Sequence, residues 1–356
     1  MTCKSHSMEK YAKYLIDKSA SIKDALVRLN ELSSDILTLL VIDENRVLLG
    51  TVTDGDIRRG LIAGASLEEP VTRICHRNFF SFNADNYSIS AIKRARNKRL
   101  SLVPYLDNAG RIEKIFNLKD NHSALPVDAV IMAGGRGQRL SPLTDTVPKP
   151  LLPLGCKPII EHNIDRLAQF GIENISITIR YLGQQIVDHF GDGASKGLSI
   201  SYFEENQPLG TMGAVRHLDH YSNETVLVMN SDLFTNIDFE EFYLHFIESD
   251  AEMAVAAIPY NVSVPYAVME VEGERVVSLK EKPTYTYYSN AGIYLMKRSV
   301  INLIPVDRPF DAPDLIELLA NQGKKVTTFP IVGYWIDIGK HEDYAKAREF
   351  IKYLKQ

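Results

Sequence analysis

Cysteine is scarce: Cys3, Cys75 and Cys156 are the only three in 356 residues. None is spaced C-x-x-C, which argues against a disulfide framework and a structural zinc site. Long apolar runs are missing too. No stretch approaches the ~18 residues of a membrane span, and the opening MTCKSHSMEKYAKYL has no signal-peptide core. The expectation is a cytoplasmic protein that does not touch the membrane. Net positive charge is also lacking, at −5 overall. This removes nucleic acid as a general partner while leaving room for a local basic pocket. What remains is ordinary: 45% hydrophobic and 24% charged residues. At roughly 100–200 residues per domain, the length suits two or three domains.

Two patterns divide the chain. In the first third, the helical stretch SIKDALVRLNEL places Ile22, Ala25, Leu26 and Leu29 on one face. It is followed by strands TLLVID and VLLGTV, then by the helical TDGDIRRGLIAG. SISAIKRARNK, LSLVPYLD and IEKIFNLKD repeat that order, and two units this small are expected to pack together. NHSALPV reads as a polar linker. The boundaries are 1–121 for the pair, 122–127 for the linker and 128–356 for the rest. From VDAVIMAG onward, strands (ENISITI, LSISYFE, TVLVMN) alternate with helices (IIEHNIDRLAQFG, GQQIVDHFG, GTMGAVRHLDHY). That predicts an α/β domain with a Rossmann-like, mostly parallel sheet and ligands beyond its carboxyl edge.

The loop AGGRGQRLSPLTDTVPKPLLPL follows the first of these strands. Its glycines let a ligand approach the backbone amides, and successive free N–H groups cradle phosphate oxygens. Two familiar phosphate loops fail on spacing. No GK[ST] follows the glycines, and Leu140 stands where a G-x-G-x-x-G fingerprint needs its third glycine. What is present is Arg136, Arg139 and Lys149. Arginine grips phosphate with a planar fork and lysine supplies a compact charge. Pro148 and Pro150 stiffen the backbone around Lys149. Asp232 comes right after the apolar strand TVLVMN, and Asp337 lies in an apolar setting in GYWIDIG. Carboxylates at such positions suit Mg²⁺, which prefers one or two of them with substrate phosphates, or simply cap helices.

AGGRGQRLSPLTDTVPKPLLPLGCKPIIEH resembles the signature of the sugar-1-phosphate nucleotidyltransferases, also called sugar-nucleotide pyrophosphorylases, and related motifs continue to the end of the chain. The resemblance implies that Ala133, Gly134, Gly135 and Gly137 hug the nucleotide. It implies that Arg139 and Lys149 act at the reacting phosphates, and that Asp232 and Asp337 hold Mg²⁺, with Asp232 also near the nucleotide. It puts the nucleobase near Gln207, Leu209 and Gly210 in EENQPLGTMGAVRHL. It puts the sugar phosphate near Glu281 and Lys282 of LKEKP, and near Asn290 and Gly292 of NAGIY. The nearby Tyr285, Tyr287 and Tyr288 read as a half-buried edge. The implied substrates are an NTP, with PLGTMG pointing to GTP, and an amino-hexose or hexose 1-phosphate, glucosamine 1-phosphate first. Uridylyl or cytidylyl transfer is the alternative within the family.

The repeated first third resembles a tandem CBS pair, an α+β module that senses adenine nucleotides and often associates with itself, so a homo-oligomer is expected. Thr53 and Asp54 fall where such pairs hold ribose; a plain helix cap explains them equally. The second copy has Asn117 and Leu118 instead, so at most one site is intact. Two other functions fit less of the sequence. A non-catalytic nucleotide sensor should have lost the charged loop, and a glycosyltransferase should carry Asp-x-Asp where NSDLF has one aspartate.

Overall fold

The computed structural model describes residues 11–33, 35–219 and 221–354; Cys3 lies outside them. The chain separates into two compact units. One comprises residues up to Leu125 with Ala168–Glu173 and Gly193–Ser199, and the other comprises Pro126–Leu167, Asn174–Asp192 and Ile200 onward.

The N-terminal unit contains β1 (Leu15–Asp17), α1 (Ile22–Glu31), β2 (Thr38–Ile42), β3 (Leu48–Thr53), α2 (Asp54–Ile62), α3 (Ile89–Asn97), β4 (Leu102–Leu106) and β5 (Ile112–Asn117). Ser21 begins α1 with a capping box closed by Asp24, which satisfies two otherwise orphaned amides. Ile22, Ala25 and Leu29 are buried as the helical spacing requires, whereas Leu26 is largely exposed. The repeat is visible in the backbone. β2 pairs parallel with β1 and antiparallel with β3. In the second copy β4 pairs antiparallel with β5, and Tyr105 makes a parallel bridge to Phe82. The tips of the two hairpins meet through Val47 and Arg111. The second copy has no helix after β5, where Asn117 instead closes a turn on Lys119 and Asp120. The stretch expected to be a polar linker is buried at Ser123, Ala124 and Leu125.

The second unit is built on β6 (Val127–Ala133), β7 (Pro153–Leu154), β8 (Lys157–Pro158), α4 (Ile159–Gln169), β9 (Asn174–Ile179), α5 (Gly183–Phe190), β10 (Ser199–Glu204), β11 (Thr225–Asn230) and β12 (Leu233–Thr235). It continues with α6 (Phe239–Glu248), β13 (Met253–Ser263), β14 (Val268–Glu272), β15 (Arg275–Lys280), β16 (Thr284–Lys297), α7 (Ala312–Asn321), β17 (Val326–Pro330), β18 (Trp335–Asp337) and α8 (His341–Tyr353). Seven strands form one sheet in the order β10-β9-β6-β11-β16-β13-β17. β6 is parallel to β9 and β11, and β13 to β17. β16 runs antiparallel to both neighbours, so the parallel-rich sheet carries one reversed strand. The residues after Met212, expected to be helical, form only a short 3-10 segment, Gly213–His217. The amides of Met212 and Gly213 are spent on the Phe310 carbonyl. Among the described residues no helix is long and apolar enough to cross a membrane.

Candidate active site

Three parallel strands deliver their carboxyl ends to one place. β6 ends at Ala133, beside Ile179 at the end of β9. Met132 pairs with Asn230 at the end of β11, and the Ser231 amide donates to the Met132 carbonyl at 3.2 Å. A cleft of about 620 Å³ opens at this edge. It is lined by the 134–139 loop, Lys149, Arg180, Glu205, Gly210, Asp232 and Asp337, among others. The position is the one a parallel sheet offers a ligand.

The glycines are required where the loop is tight. Gly137 has φ +65°, and a Cβ there would lie 2.9 Å from the Cβ of Lys149. A Cβ on Gly134 would lie 2.6 Å from Glu205 Oε1. Gly135 faces open space. Thr144 ties the loop down by donating to the Gly137 carbonyl at 2.9 Å. Arg136 lies over the Tyr181 ring, 5.3 Å from its centre, while Arg139 extends along the cleft wall.

The two aspartates meet across a short antiparallel pairing. Leu233 of β12 is opposite Asp337 of β18, and the Ile338 amide donates to the Asp232 carbonyl at 3.0 Å. Buried Asn163 on α4 fixes the turn by donating to the Leu233 carbonyl at 2.9 Å. The Lys149 ammonium pairs with Asp232 Oδ2, and their side chains are 14% and 19% exposed. Asp232 Oδ1 is buried without a hydrogen-bond partner. A buried carboxylate oxygen left unmatched is costly unless something else satisfies it. Asp337 is pushed above its ordinary range by desolvation in the cleft and then by the charge of Asp232; Lys149 and Arg139 pull it back. Two facing carboxylates, one with a spare oxygen, fit a divalent cation that completes its shell with phosphate and water. Among the described residues there is no cluster of three or more His, Cys, Asp or Glu that could hold a metal without such help.

At the other end of the cleft sits Glu205, 7% exposed. It accepts from the Leu209 amide at 3.2 Å. Burial raises its pKa, which the Leu209 amide, the Thr178 hydroxyl and Arg180 partly oppose. Gly210, at φ +76°, packs against the Phe310 carbonyl and Asp311, and Asp311 accepts from the Thr211 amide at 2.8 Å.

Of the residues singled out in the sequence, Gly134, Gly135, Gly137, Arg139, Lys149, Gly210, Asp232 and Asp337 share this cleft. Ala133 is buried behind it, and Leu209 is buried with its amide on Glu205. Gln207 turns away and donates to the Asp307 carbonyl. Gly292 packs on Asn230 behind the wall, and Asn290, exposed, accepts from the Gly292 amide at 2.9 Å. Glu281 and Lys282 stand exposed in the bend between β15 and β16, outside the cleft lining. Tyr285 is half-buried, but Tyr287 and Tyr288 on β16 are mostly exposed, so the expected half-buried edge is open. In the N-terminal unit Thr53 forms the cap of α2 with Asp56, and Asp54 pairs with Arg58 one turn on. Arg180, Glu205 and Asp311 were not anticipated. Arg180 alone left a local trace, as the cation ending SITIR.

A parallel-rich α/β sheet thus gathers a glycine loop, converging cations and two carboxylates at its carboxyl edge, a set of groups suited to phosphate. The chain belongs to the Nucleotidyl transferase family, whose pattern matches residues 128–353, and a CBS domain matches residues 14–63. It is 34% identical over 228 residues to a mannose-1-phosphate guanylyltransferase from Mycobacterium tuberculosis, covering 62% of this chain and 63% of that one. It is 28% identical to a D-glycero-alpha-D-manno-heptose 1-phosphate guanylyltransferase from Aneurinibacillus thermoaerophilus, covering 64% and 99%. The chain thus spans about three fifths of the first of these relatives. Among solved structures, one described as a "Putative Glucose-1-Phosphate Thymidylyltransferase" from Bacillus anthracis, in complex with sucrose, aligns with TM-score 0.52 at 26% identity. That alignment covers 63% of this chain and 94% of the other.

Proposed function

We propose that the chain transfers a nucleotidyl group from an NTP, GTP first, to a sugar 1-phosphate and releases pyrophosphate. The carrying observation is that Arg139, Lys149, Asp232 and Asp337 line one cleft with the glycine loop. A phosphate oxygen of the sugar 1-phosphate attacks the α-phosphorus, and the bond to the bridging oxygen of the β-phosphate breaks. Arg139 and Lys149 hold the charge that gathers on the departing pyrophosphate, and the amides around Gly134, Gly135 and Gly137 hold the nucleotide phosphates. Positioning and charge stabilisation supply the rate without a covalent enzyme intermediate. Asp232 and Asp337 would hold a divalent cation, Mg²⁺ for preference, which neutralises phosphate charge when bound.

Glu205 supports the choice of guanine. A carboxylate has about four acceptor sites, and the Leu209 amide occupies one of these at 3.2 Å. The rest suit the adjacent N1–H and N2 amino donors of guanine. Uracil offers one N–H between two carbonyls and would meet the same carboxylate with repulsion. Uridylyl transfer therefore ranks second. Glu281 and Lys282 would meet the sugar and its phosphate. An adenine nucleotide on the N-terminal unit would depend on Asp54, since Thr53 is spent on its cap.

The test is a matrix of four NTPs against several sugar 1-phosphates, glucosamine 1-phosphate included, read by pyrophosphate release and repeated with AMP or ATP. Turnover confined to GTP with one sugar class supports the proposal. Nucleotide binding with no turnover in any pairing favours a sensor instead.

A further inference from the structure

Four cations line the cleft: Arg136, Arg139, Lys149 and Arg180. Three have an evident partner. Arg136 lies over the Tyr181 ring, Lys149 pairs with Asp232, and the charge of Arg139 reaches Asp337. The side chain of Arg180 makes no hydrogen bond or ion pair among the described residues. Its place is set by the backbone. Ile179 ends β9 opposite Ala133, and the Glu205 amide donates to the Ile179 carbonyl at 2.9 Å. Arg180 and Glu205 thus leave two neighbouring strand ends beside the start of the glycine loop, where Glu205 lies against Gly134. Glu205 is buried and Arg180 exposed. Arg180 is also the cation whose charge acts on the Glu205 carboxyl.

A negative group beside a positive one is a pattern that a base can match or fail to match. Along its polar edge guanine presents the N2 amino group and N1–H as donors, then O6 and N7 as acceptors. A carboxylate suits the first pair. The planar fork of an arginine suits the second, and arginine on O6 and N7 is the commonest specific contact to guanine. Adenine sets an acceptor, N1, against the carboxylate and an amino donor, N6, against the guanidinium. Cytosine also turns an amino group toward the cation. Uracil offers O4 but has no N7. Of the four bases, guanine alone satisfies both charges.

We propose that Arg180 is a specificity-determining residue that donates to O6 and N7 of guanine, while Glu205 accepts from N1–H and N2. This rests on the GTP reading given above and deepens it: selection by Glu205 alone becomes selection by two groups of opposite charge. Arg180 then serves the base, and Arg139 and Lys149 are left for the phosphates.

Two analogues separate the contacts. Inosine triphosphate lacks only the N2 amino group, and 7-deaza-GTP lacks only the N7 acceptor. Calorimetry on the full chain with Mg²⁺, and no sugar phosphate, gives a Kd for each. In the parent each analogue should bind about tenfold more weakly than GTP, the size of one charge-assisted bond. Arg180→Ala should weaken GTP on the order of 10- to 100-fold and erase the 7-deaza difference, while the inosine difference stays. Arg180→Lys keeps the charge without the fork and should fall between the two; circular dichroism checks the fold of both variants. A 7-deaza difference that persists in Arg180→Ala overturns the proposal. So does an equal weakening of GTP, UTP and 7-deaza-GTP, which would put the guanidinium on the triphosphate. A parent that binds GTP above UTP but ignores the loss of N7 refutes the role of Arg180 alone. A parent that prefers UTP refutes the GTP reading, and the proposal with it.

Discussion

Replacing Glu205 by Gln tests the choice of base with little disturbance. The side chain keeps its length, and its remaining carbonyl can still accept from the Leu209 amide, now 3.2 Å from Oε2. What changes is the pattern offered to the base. A charge-assisted hydrogen bond contributes roughly 1.5–3 kcal/mol. The substitution removes one such bond and aims an amide donor at a guanine donor. A loss of about 3 kcal/mol lowers kcat/KM for GTP about 100-fold. The same amide matches a uracil carbonyl, so UTP should gain. The assay is pyrophosphate release with GTP and UTP at a fixed, saturating sugar phosphate. Acidity gives a second readout. Burial raises the pKa of Glu205, and guanine needs the carboxylate form, so KM for GTP should climb as pH falls through that raised value. The glutamine variant should show no such rise. The sign for stability is opposite. A carboxyl whose folded pKa exceeds its unfolded one contributes most below the unfolded value and loses that contribution as pH rises through the folded value. The variant should therefore be at least as stable as the parent at pH 7. A GTP-to-UTP preference unchanged within threefold, in a folded variant, refutes the role of Glu205 in base selection.

Arg139→Ala and Asp232→Ala are each expected to lower turnover by at least 100-fold while circular dichroism stays native; near-parental activity in either would remove that residue from the reacting centre. Gly137→Ala forces a side chain into φ +65° and against Lys149 Cβ, costing about 1–2 kcal/mol; thermal unfolding should show the loss and pyrophosphate release should fall at least tenfold. Thr53→Ala deletes the cap of α2 and should cost about 1 kcal/mol, read by chemical denaturation, equally with and without AMP; a loss seen only with AMP would instead make Thr53 a ligand contact.

The parts of the site that were legible in the sequence are local ones. The glycine loop, Arg139 and the proline-flanked Lys149 form one continuous stretch, Asp232 follows a recognisable apolar strand, and Asp337 lies in an apolar setting just before Gly339. Glu205 was obscured because EENQ offers several polar candidates. Only the pairing of its amide with Ile179 at the end of β9 shows which one sits under Gly134. Asp311 reaches Thr211 across 100 residues of sequence and Asn163 reaches Leu233 across 70, distances no motif spans. The linker misreading has a related cause. SAL is too short to show periodicity, and its burial depends on what the fold packs against it.

The Lys149–Asp232 pair explains how the cleft holds both signs of charge. Arg136, Arg139, Lys149 and Arg180 would repel one another across a partly desolvated cleft, and Asp232 and Asp337 would do the same. Pairing Lys149 with Asp232 relieves both sets at once. The pair leaves Asp232 Oδ1 unused, so a cation can be accepted there without first displacing Lys149. If the proposed function holds, a triphosphate would compete with Asp232 for the ammonium, and a divalent cation held by Asp232 and Asp337 would offset the carboxylate charge that Lys149 gives up.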